Sequence, residues 1–438
     1  MAIGDAGLGV EYTSLDPFFE FILNDLFKPA VADTVINPNV LLRTLSRRED
    51  RVEGRNVVFP IHVGRNMGIN SISPEGLLPD PGQQDYAQYA YAVRHTYGRI
   101  KFGGISLDAS KTRIASWLNA LQSEVQGLGT DMARYRQRVY HNDGSGRVGD
   151  VVSSGGVTVQ VRVHAGIDGV TVDEDPLRQI KVGMRLVAVD AASGPAWASR
   201  VGVMTVTAVG VTAADEIQVD ALAAALAPND FLVIASSVDS SALNDTTWQN
   251  DPMGIAGIIN DGNPDDGTPT GFQGVDATLA SNSWHRAQIN SGGGTNRTLS
   301  LNLMQQIWDA PFELADSTIG MFIMPFGVLR AYADTVLTDR RFTGSAEPQS
   351  FDGGYDALSY NGAPLIPDRD CYSNRMYGLS MDDICFDVMA DPQWMQMDGS
   401  IYHRVENRDQ YQATMFVRET MSSEVRDKHI LATDIAHL

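Results

Sequence analysis

The spacing of apolar residues changes several times along the chain, and the first pattern is helical. Leu15 to Val40 predicts a short amphipathic helix that ends near Pro29. Its apolar face contains Phe18, Phe19, Ile22, Leu23 and Leu26. Such a helix either packs on its own domain or forms an arm that reaches a neighbouring subunit, and the sequence leaves both interpretations open.

The next segment, from Arg55 to Phe102, predicts a long protruding hairpin. NVVFPIHV and YAYAVRHTYGRIKF are β-branched and aromatic, as extended strands are, and NMGINSISPEGLLPDPGQQDY between them is rich in Gly, Pro, Asn and Ser. A loop this long is usually functional, since it cannot bury its own backbone groups cheaply.

The strongest helical pattern follows the hairpin, with Asp108 or Ser110 as its N-cap. Apolar residues then recur at spacings of three and four at Ile114, Leu118, Leu121, Val125, Leu128, Met132, Tyr135 and Val139. The pattern predicts one helix of roughly 30 residues, about 45 Å long. Gly127 and Gly129 lie in its middle and favour a bend there.

Short strands separated by Gly, Asp and Ala-rich turns run from about Gly155 to Ser237 and predict a small barrel or sandwich with its own core. The strand-like DPMGIAGIINDG comes after it. Helices are then predicted at TLSLNLMQQIWDAPFEL and FGVLRAYADTVL, with a buried strand, STIGMFIMP, between them. Further strands are expected near Gly362–Asp368 and Met376–Leu379, and long C-terminal strands should pair with those flanking the long helix.

Composition places the chain among folded globular proteins. Its 438 residues exceed the size of one core and predict two or three packed units, and 43% are apolar. Only Cys371 and Cys385 occur, which predicts reduced, buried thiols. The chain has no apolar run long enough for a membrane helix and no signal-like start, which predicts a cytoplasmic product.

A net charge of −21 argues against specific DNA recognition, because phosphate binding needs clustered cations. Nearly all the positive charge is arginine. Arginine suits fixed ion pairs at subunit contacts, and a coding bias explains the excess equally well.

Motifs that carry chemistry are absent or fail on context, so we predict no catalytic, cofactor-binding or metal-binding residue and no enzymatic activity. Gly144, Gly146 and Gly149, with Asp168 further on, match the dinucleotide fingerprint but follow a helix and lead into strands. Asp261, Asn263 and Asp265 have calcium-loop spacing, yet Asp266 and Phe272 stand where glycine and glutamate are needed. The acidic loop Asp173, Glu174 and Asp175 is at most an equally weak cation site. No pair among the histidines has metal-ligand spacing: His62, His95, His141, His164, His285, His403, His429 and His437.

Four blocks, in order, resemble the major capsid proteins of tailed bacteriophages. VEGRNVVFPIHVGRNMGINSISPEGLLPDPGQQDY is similar to the family's extended loop, and YRQRVYHNDGSG to the end of its spine helix. NGAPLIPDRD resembles the Gly-x-Pro-Leu turn of the apical domain. YQATMFVRETMSSEVRDKHILATDI resembles the closing strands of the peripheral domain.

The resemblance implies an α+β fold, the Hong Kong 97-like phage coat fold, with an inserted small all-β domain. The N-terminal arm would span 1–53, the extended loop 54–103, and the spine helix with the start of the peripheral domain 104–150. The inserted barrel or sandwich would span 151–240, where additions can project from a shell. Peripheral strands and a linker would span 241–297, the apical domain 298–383 and the C-terminal peripheral strands 384–438.

The function implied is that of a coat protein that self-assembles, as hexamers and pentamers, into the icosahedral shell around the double-stranded DNA of a tailed phage. Scaffolding, portal and decoration proteins would be its partners, with packaged DNA contacted non-specifically and no membrane. The protein would assemble in the host bacterial cytoplasm and reside in the virion capsid. The alternatives are an encapsulin-type nanocompartment subunit and, from another class, an acidic hydrolase or carbohydrate-binding protein with a β module.

Some members of the family join subunits by an isopeptide bond that starts from a loop lysine. Between Lys28 and Lys101 this chain has no lysine, and arginine cannot replace it because a guanidinium stays protonated. Lys101 lies at the base of the loop, where we expect it to pair with a carboxylate of its own sheet. The sequence therefore predicts a shell without covalent cross-links through this loop.

Overall fold

The computed structural model describes most of the chain: residues 40–53, 56–103, 114–162, 180–193, 197–200, 202–210, 215–220, 226–236, 242–264, 271–340, 358–396 and 399–436. Nearly all of the predicted helix from Leu15 to Val40, and both predicted caps of the long helix, lie outside these residues.

The first part of the chain contains the hairpin and the long helix. Its elements are α1 (Val40–Thr44), β1 (Ser46–Arg48), β2 (Val52–Glu53), β3 (Asn56–Gly64), β4 (Asp85–Ala92), β5 (Arg94–Gly103) and α2 (Ile114–His141). β2, β3 and β4 form a small antiparallel sheet whose β3–β4 part is the predicted hairpin.

Six strands follow α2 and close into a barrel in the order β10-β7-β6-β11-β8-β9. They are β6 (Arg147–Gly155), β7 (Thr158–Arg162), β8 (Arg185–Val189), β9 (Met204–Val209), β10 (Glu216–Val219) and β11 (Phe231–Ile234). Alternate residues point inward, as in β7, where Val159 and Val161 are buried, so the barrel has an apolar core of its own.

The remainder of the chain builds two further sheets. Its elements are α3 (Ile255–Ile258), β12 (Gln288–Asn290), α4 (Leu301–Ala315), β13 (Met321–Met324), α5 (Phe326–Arg340), β14 (Ser359–Tyr360), β15 (Ala363–Pro367), β16 (Met376–Leu379), β17 (Ile384–Trp394), β18 (His403–Arg404), β19 (Gln410–Ser423) and β20 (Ile430–Ala432). One sheet has the order β12-β20-β16-β13-β15-β14. The other contains β1, β17, β19 and β18, with β5 also paired to β19.

The last two sheets are each covered by helices that are adjacent to one of their strands in the sequence. α2 packs on β5 and β19, where Val125 and Met132 meet Ile100 and Met415. α4 starts at Ser300, whose hydroxyl accepts a hydrogen bond from the Leu303 amide at 3.2 Å. With α5 it covers β13, all of whose residues are buried, as expected for a continuous apolar run in a central strand.

Two predictions about pairing are confirmed. β3 and β4 pair in antiparallel register from Asn56↔Ala92 to Gly64↔Asp85, which makes the hairpin. The C-terminal strand β19 pairs with β5, the strand that precedes the long helix, from Gln410↔Gly103 to Glu419↔Arg94.

Three sequence predictions about element boundaries are wrong. YAYAVRHTYGRIKF is not one strand: β4 belongs to the hairpin and β5 to the sheet of β19, with the buried Val93 between them. DPMGIAGIINDG contains the helical turn α3, because a short apolar run does not distinguish a strand from a buried helix. The barrel starts at Arg147 and not near Gly155, which ends its first strand. The glycines and the aspartate of RVGDVVSSG interrupt the apolar pattern, so the sequence did not indicate this strand.

Candidate assembly surface

The hairpin tip, residues 65–84, exposes large apolar side chains to solvent. Met67, Ile69, Leu77 and Leu78 are 83–94% exposed. Burying one such side chain is worth roughly 1.5–3 kcal/mol, so a concentration of four on one loop is unusual for a surface that stays in water. This tip is therefore the best candidate for a protein contact surface.

Local hydrogen bonds give the tip a defined shape. Asn66 Oδ1 accepts a hydrogen bond from the Gly68 amide at 2.7 Å, and Asn66 Nδ2 donates to the Gly82 carbonyl at 3.0 Å. A Cβ on Gly82 would lie 2.3 Å from Asn66 Oδ1, so only glycine fits this close approach. The two sides of the loop are thereby held together, and the apolar side chains lie on a preformed loop.

The hairpin root, Tyr89–Val93, anchors the ribbon in the body of the protein. A two-stranded ribbon is marginal on its own, so this anchorage determines its position. The Ala90 amide donates to the Gln273 carbonyl at 3.0 Å, and the buried Tyr89 hydroxyl lies 2.9 Å from His285 Nδ1.

The protonation state of His285 follows from its surroundings. Burial, reinforced by the nearby Arg426 guanidinium, lowers the pKa of His285 to about 3, so the ring is neutral. Its Nε2 lies 3.2 Å from the Phe272 carbonyl, which can only accept, so Nε2 carries the proton. His285 Nδ1 therefore accepts from the Tyr89 hydroxyl.

A second buried polar network connects the root to β17 and β19. The Tyr91 hydroxyl donates to Asp387, and the Ser422 hydroxyl donates to Asp387 Oδ2 at 2.5 Å. Burial raises the pKa of Asp387. Beside this network, Arg48 and Arg51 both pair with Glu424, which holds the strands that precede the hairpin against the same sheet.

The long helix is locked to the main sheet by a buried ion pair. Arg136 Nε donates to Glu419 Oε1 at 2.6 Å and Nη2 donates to Oε2 at 2.6 Å, with both side chains at most 2% exposed. Tyr140 also donates to Glu419. One turn on, His141 Nε2 lies 3.1 Å from Asp368 Oδ2, and this contact lowers the pKa of Asp368 to about 2 in spite of burial.

Sequence reasoning did not find these partners, because they lie far apart in the chain. Arg136 and Glu419 are 283 positions apart, and no local spacing connects them. The sequence offers one weaker indication of such a pair. A charged residue on the apolar side of a helix, or within a run of strand residues, needs a partner when it is buried.

The predicted weak sites gain no support from the structure. Among the described residues no group of His, Cys, Asp and Glu could hold a metal ion. Asp261 is exposed, and Asn263 Nδ2 donates to Asp276 at 2.7 Å. Asp168, Asp265, Asp266 and the acidic loop 173–175 lie outside the described part of the chain. Gly144 and Gly146 precede β6 and Gly149 lies within it, a context that dinucleotide binding does not use.

The structure also tests the predictions for the two cysteines and for Lys101. Cys371 and Cys385 are buried and are not joined in a disulfide, as expected. Lys101 is exposed on β5 opposite Gln412, and no carboxylate within the described residues pairs with its amine, so the predicted ion pair is wrong. No helix in the described portion is long and apolar enough to cross a membrane.

Comparison with known proteins identifies the fold. No family model matches the chain, and no curated protein sequence does either. A chain of the cyanophage A-1(L) capsid asymmetric unit matches with a TM-score of 0.52 and 11% identity, over 90% of this chain and 92% of that one. The protein therefore has a phage coat-protein fold, as the sequence predicted.

Two other solved structures match less well. The capsid of a native GTA particle aligns with a TM-score of 0.44 and 11% identity over 92% of this chain and 91% of that one. The holo-SrpI encapsulin complex from Synechococcus elongatus PCC 7942 aligns with a TM-score of 0.41 and 8% identity over 92% and 89%.

Proposed function

We propose that the chain is the major capsid protein of a tailed bacteriophage. Copies of it assemble as hexamers and pentamers into an icosahedral shell around double-stranded DNA, and the protein has no catalytic role. The observation that carries this proposal is the hairpin tip, whose exposed apolar side chains lie on a preformed loop at the end of an anchored ribbon. The coat-protein fold supports it.

In this function the elements have distinct roles. The ribbon extends the tip from the body to a neighbouring subunit. The anchored root transmits force from that contact to the main sheet. β6–β11 form the inserted domain, which starts at Arg147 and projects from the outer surface. The Hong Kong 97-like division into arm, extended loop, spine helix, peripheral domain and apical domain applies with that change.

Location and partners follow from the same role. The protein assembles in the host bacterial cytoplasm and ends in the virion, with a scaffolding protein, a portal and decoration proteins as partners. Packaged DNA is contacted without sequence specificity, which suits a net charge of −21.

Negative-stain microscopy of the expressed full chain tests the proposal. Shells, tubes or five- and six-fold rings are expected, and discrete monomers would contradict it. Particles that enclose a protein cargo and no DNA during phage infection would favour the nanocompartment function instead.

A quadruple variant tests the tip itself: Met67→Ser, Ile69→Ser, Leu77→Ser and Leu78→Ser. It should fold and fail to assemble, because these four side chains are 83–94% exposed in the folded chain and their loss should change its stability little. Deleting Asn70 to Gln84 should have the same result. The control variant Val157→Ser, Val182→Ser and Leu279→Ser changes side chains that are 51–64% exposed elsewhere, and it should assemble normally. Normal shells from the quadruple variant would overturn the assignment.

A further inference from the structure

A small internal cavity lies at the hairpin root, where the ribbon leaves the body. Its wall includes Tyr91 of β4, Arg94 of β5 and Thr420 of β19. The remaining wall includes Asp251 and Gln273. Its volume of ≈ 20 Å³, measured for the centre of a water-sized sphere, exceeds the ~10–15 Å³ that a single water molecule needs.

Two side chains in its wall, Gln273 and Asp251, have buried polar atoms with no hydrogen-bond partner among the described residues. Gln273 is 2% exposed, and within the described part of the chain neither its Oε1 nor its Nε2 has a hydrogen-bond partner. Asp251 is 3% exposed, and its Oδ2 likewise has none among the described residues. Leaving a buried polar group unsatisfied costs about 1–3 kcal/mol, so two such groups around one cavity need an explanation.

Arg138, which forms an ion pair with Asp251, makes no hydrogen bond to its Oδ2. Arg138 Nη2 lies 3.6 Å from Asp251 Oδ2, beyond hydrogen-bond reach. The other carboxylate oxygen, Oδ1, already accepts from the Tyr135 hydroxyl. Asp251 therefore has one oxygen hydrogen-bonded to the long helix and one that accepts no hydrogen bond from the described residues and can accept one from a small polar molecule.

We propose that this cavity binds at least one ordered water molecule, held by the Gln273 amide and by Asp251 Oδ2. Water can both donate and accept, so it can satisfy the amide NH₂, the amide oxygen and a carboxylate oxygen together. The Gln273 carbonyl accepts from Ala90 in the hairpin, and Asp251 is bonded to Tyr135 of α2. The water thus connects the hairpin root to the long helix.

The direction in which one substitution changes the Tm distinguishes a hydrated cavity from a dry one. Gln273→Met keeps the length of the side chain and removes the amide. If water satisfies the amide, the variant loses those hydrogen bonds and its Tm falls by roughly 1–3 °C. If the cavity is dry, the variant removes an unsatisfied buried amide and its Tm stays the same or rises.

A matched control removes the effect of backbone conformation. Gln273 has φ 53° and Gln249 has φ 55°, so both are in the left-handed region. Gln249→Met makes the same change at a position outside the cavity wall, and its Tm should stay within about 1 °C of wild type.

A reconstruction of wild-type particles that resolves ordered water decides the matter directly. A density peak within hydrogen-bond distance of the Gln273 amide and Asp251 supports the site, and an empty cavity overturns it.

Replacing sodium by potassium and then by choline at constant ionic strength should leave the Tm unchanged. A Tm that depends on the cation would overturn water as the ligand in favour of a bound ion.

Discussion

Arg136 and Glu419 form a buried ion pair, and replacing either residue should destabilise the protein. Both side chains are buried, and the guanidinium makes two parallel hydrogen bonds to the carboxylate. Removing one member leaves the other as an uncompensated buried charge, which typically costs about 3–5 kcal/mol.

Arg136→Met should therefore lower the free energy of unfolding by about 3–5 kcal/mol in urea denaturation of the unassembled chain. Arg134→Met is the matched control on the same helix. Arg134 is 68% exposed and lies 3.9 Å from Asp131, so its loss should change the stability by at most about 0.5 kcal/mol. Similar effects of the two substitutions would contradict the assigned role of the buried pair.

Two buried histidines make the stability depend on pH. Burial lowers the pKa values of His285 and His429 to about 3. The unfolded chain binds protons at these rings below about pH 6.5 while the folded chain does not, so stability is lost as the pH falls from about 6.5 towards 3.

The slope should reach at most about 1.4 kcal/mol per pH unit for each ring. Urea denaturation between pH 7.5 and 5 measures it. Carboxylates with lowered pKa values, such as Asp368 and Glu424, lose their contribution at lower pH. Burial raises the pKa of Asp387, whose contribution has the opposite sign, so the slope due to the histidines is the difference between the wild type and a variant that lacks both rings. The double variant His285→Gln and His429→Gln should show a flatter profile, and an unchanged slope would exclude the two rings as its cause.

At the scale of elements, the contact between α2 and α3 depends on a glycine. A Cβ on Gly254 would lie 2.3 Å from the Asn142 carbonyl oxygen and 2.6 Å from that of Val139, and backbone atoms cannot easily move away. Gly254→Ala should therefore destabilise the protein by more than about 2 kcal/mol.

Gly127 in the middle of α2 provides the opposite case. A Cβ there meets nothing within 4 Å, so Gly127→Ala should stabilise the helix by up to about 1 kcal/mol. Thermal unfolding of both variants tests the pair, and a Gly254→Ala variant as stable as wild type would show that the two elements can separate.

The elements differ in how far the sequence determined them. α2 and α4 were predictable because the spacing of apolar residues along one face defines a helix within its own residues. The division of β4 from β5 was not predictable, because the apolar pattern continues through Val93 while the pairing partner changes from β3 to β19. The hairpin tip was expected to be functional from its length, but only the structure shows its apolar side chains outside.

At the scale of the whole molecule, the absence of lysine between Lys28 and Lys101 predicts a shell held without covalent links through the extended loop. The exposed Lys101 is the one lysine of the extended loop, residues 54–103, and it lies at the base of the loop and not at the tip. Denaturing gel electrophoresis of mature particles should show a single band near 47.6 kDa. A ladder of multimers that survives boiling with reducing agent would contradict this expectation.

The pairing of β5 with β19 joins segments about 300 residues apart and has a consequence during synthesis. A ribosome adds roughly 5–20 residues per second, so β5 waits for about 15–60 s before its partner exists. Through that interval the strand edge at Arg94–Gly103 is open while the hairpin beside it has already emerged. Nascent chains on one messenger could aggregate at this stage, and we expect a chaperone to be required until translation passes Ser423.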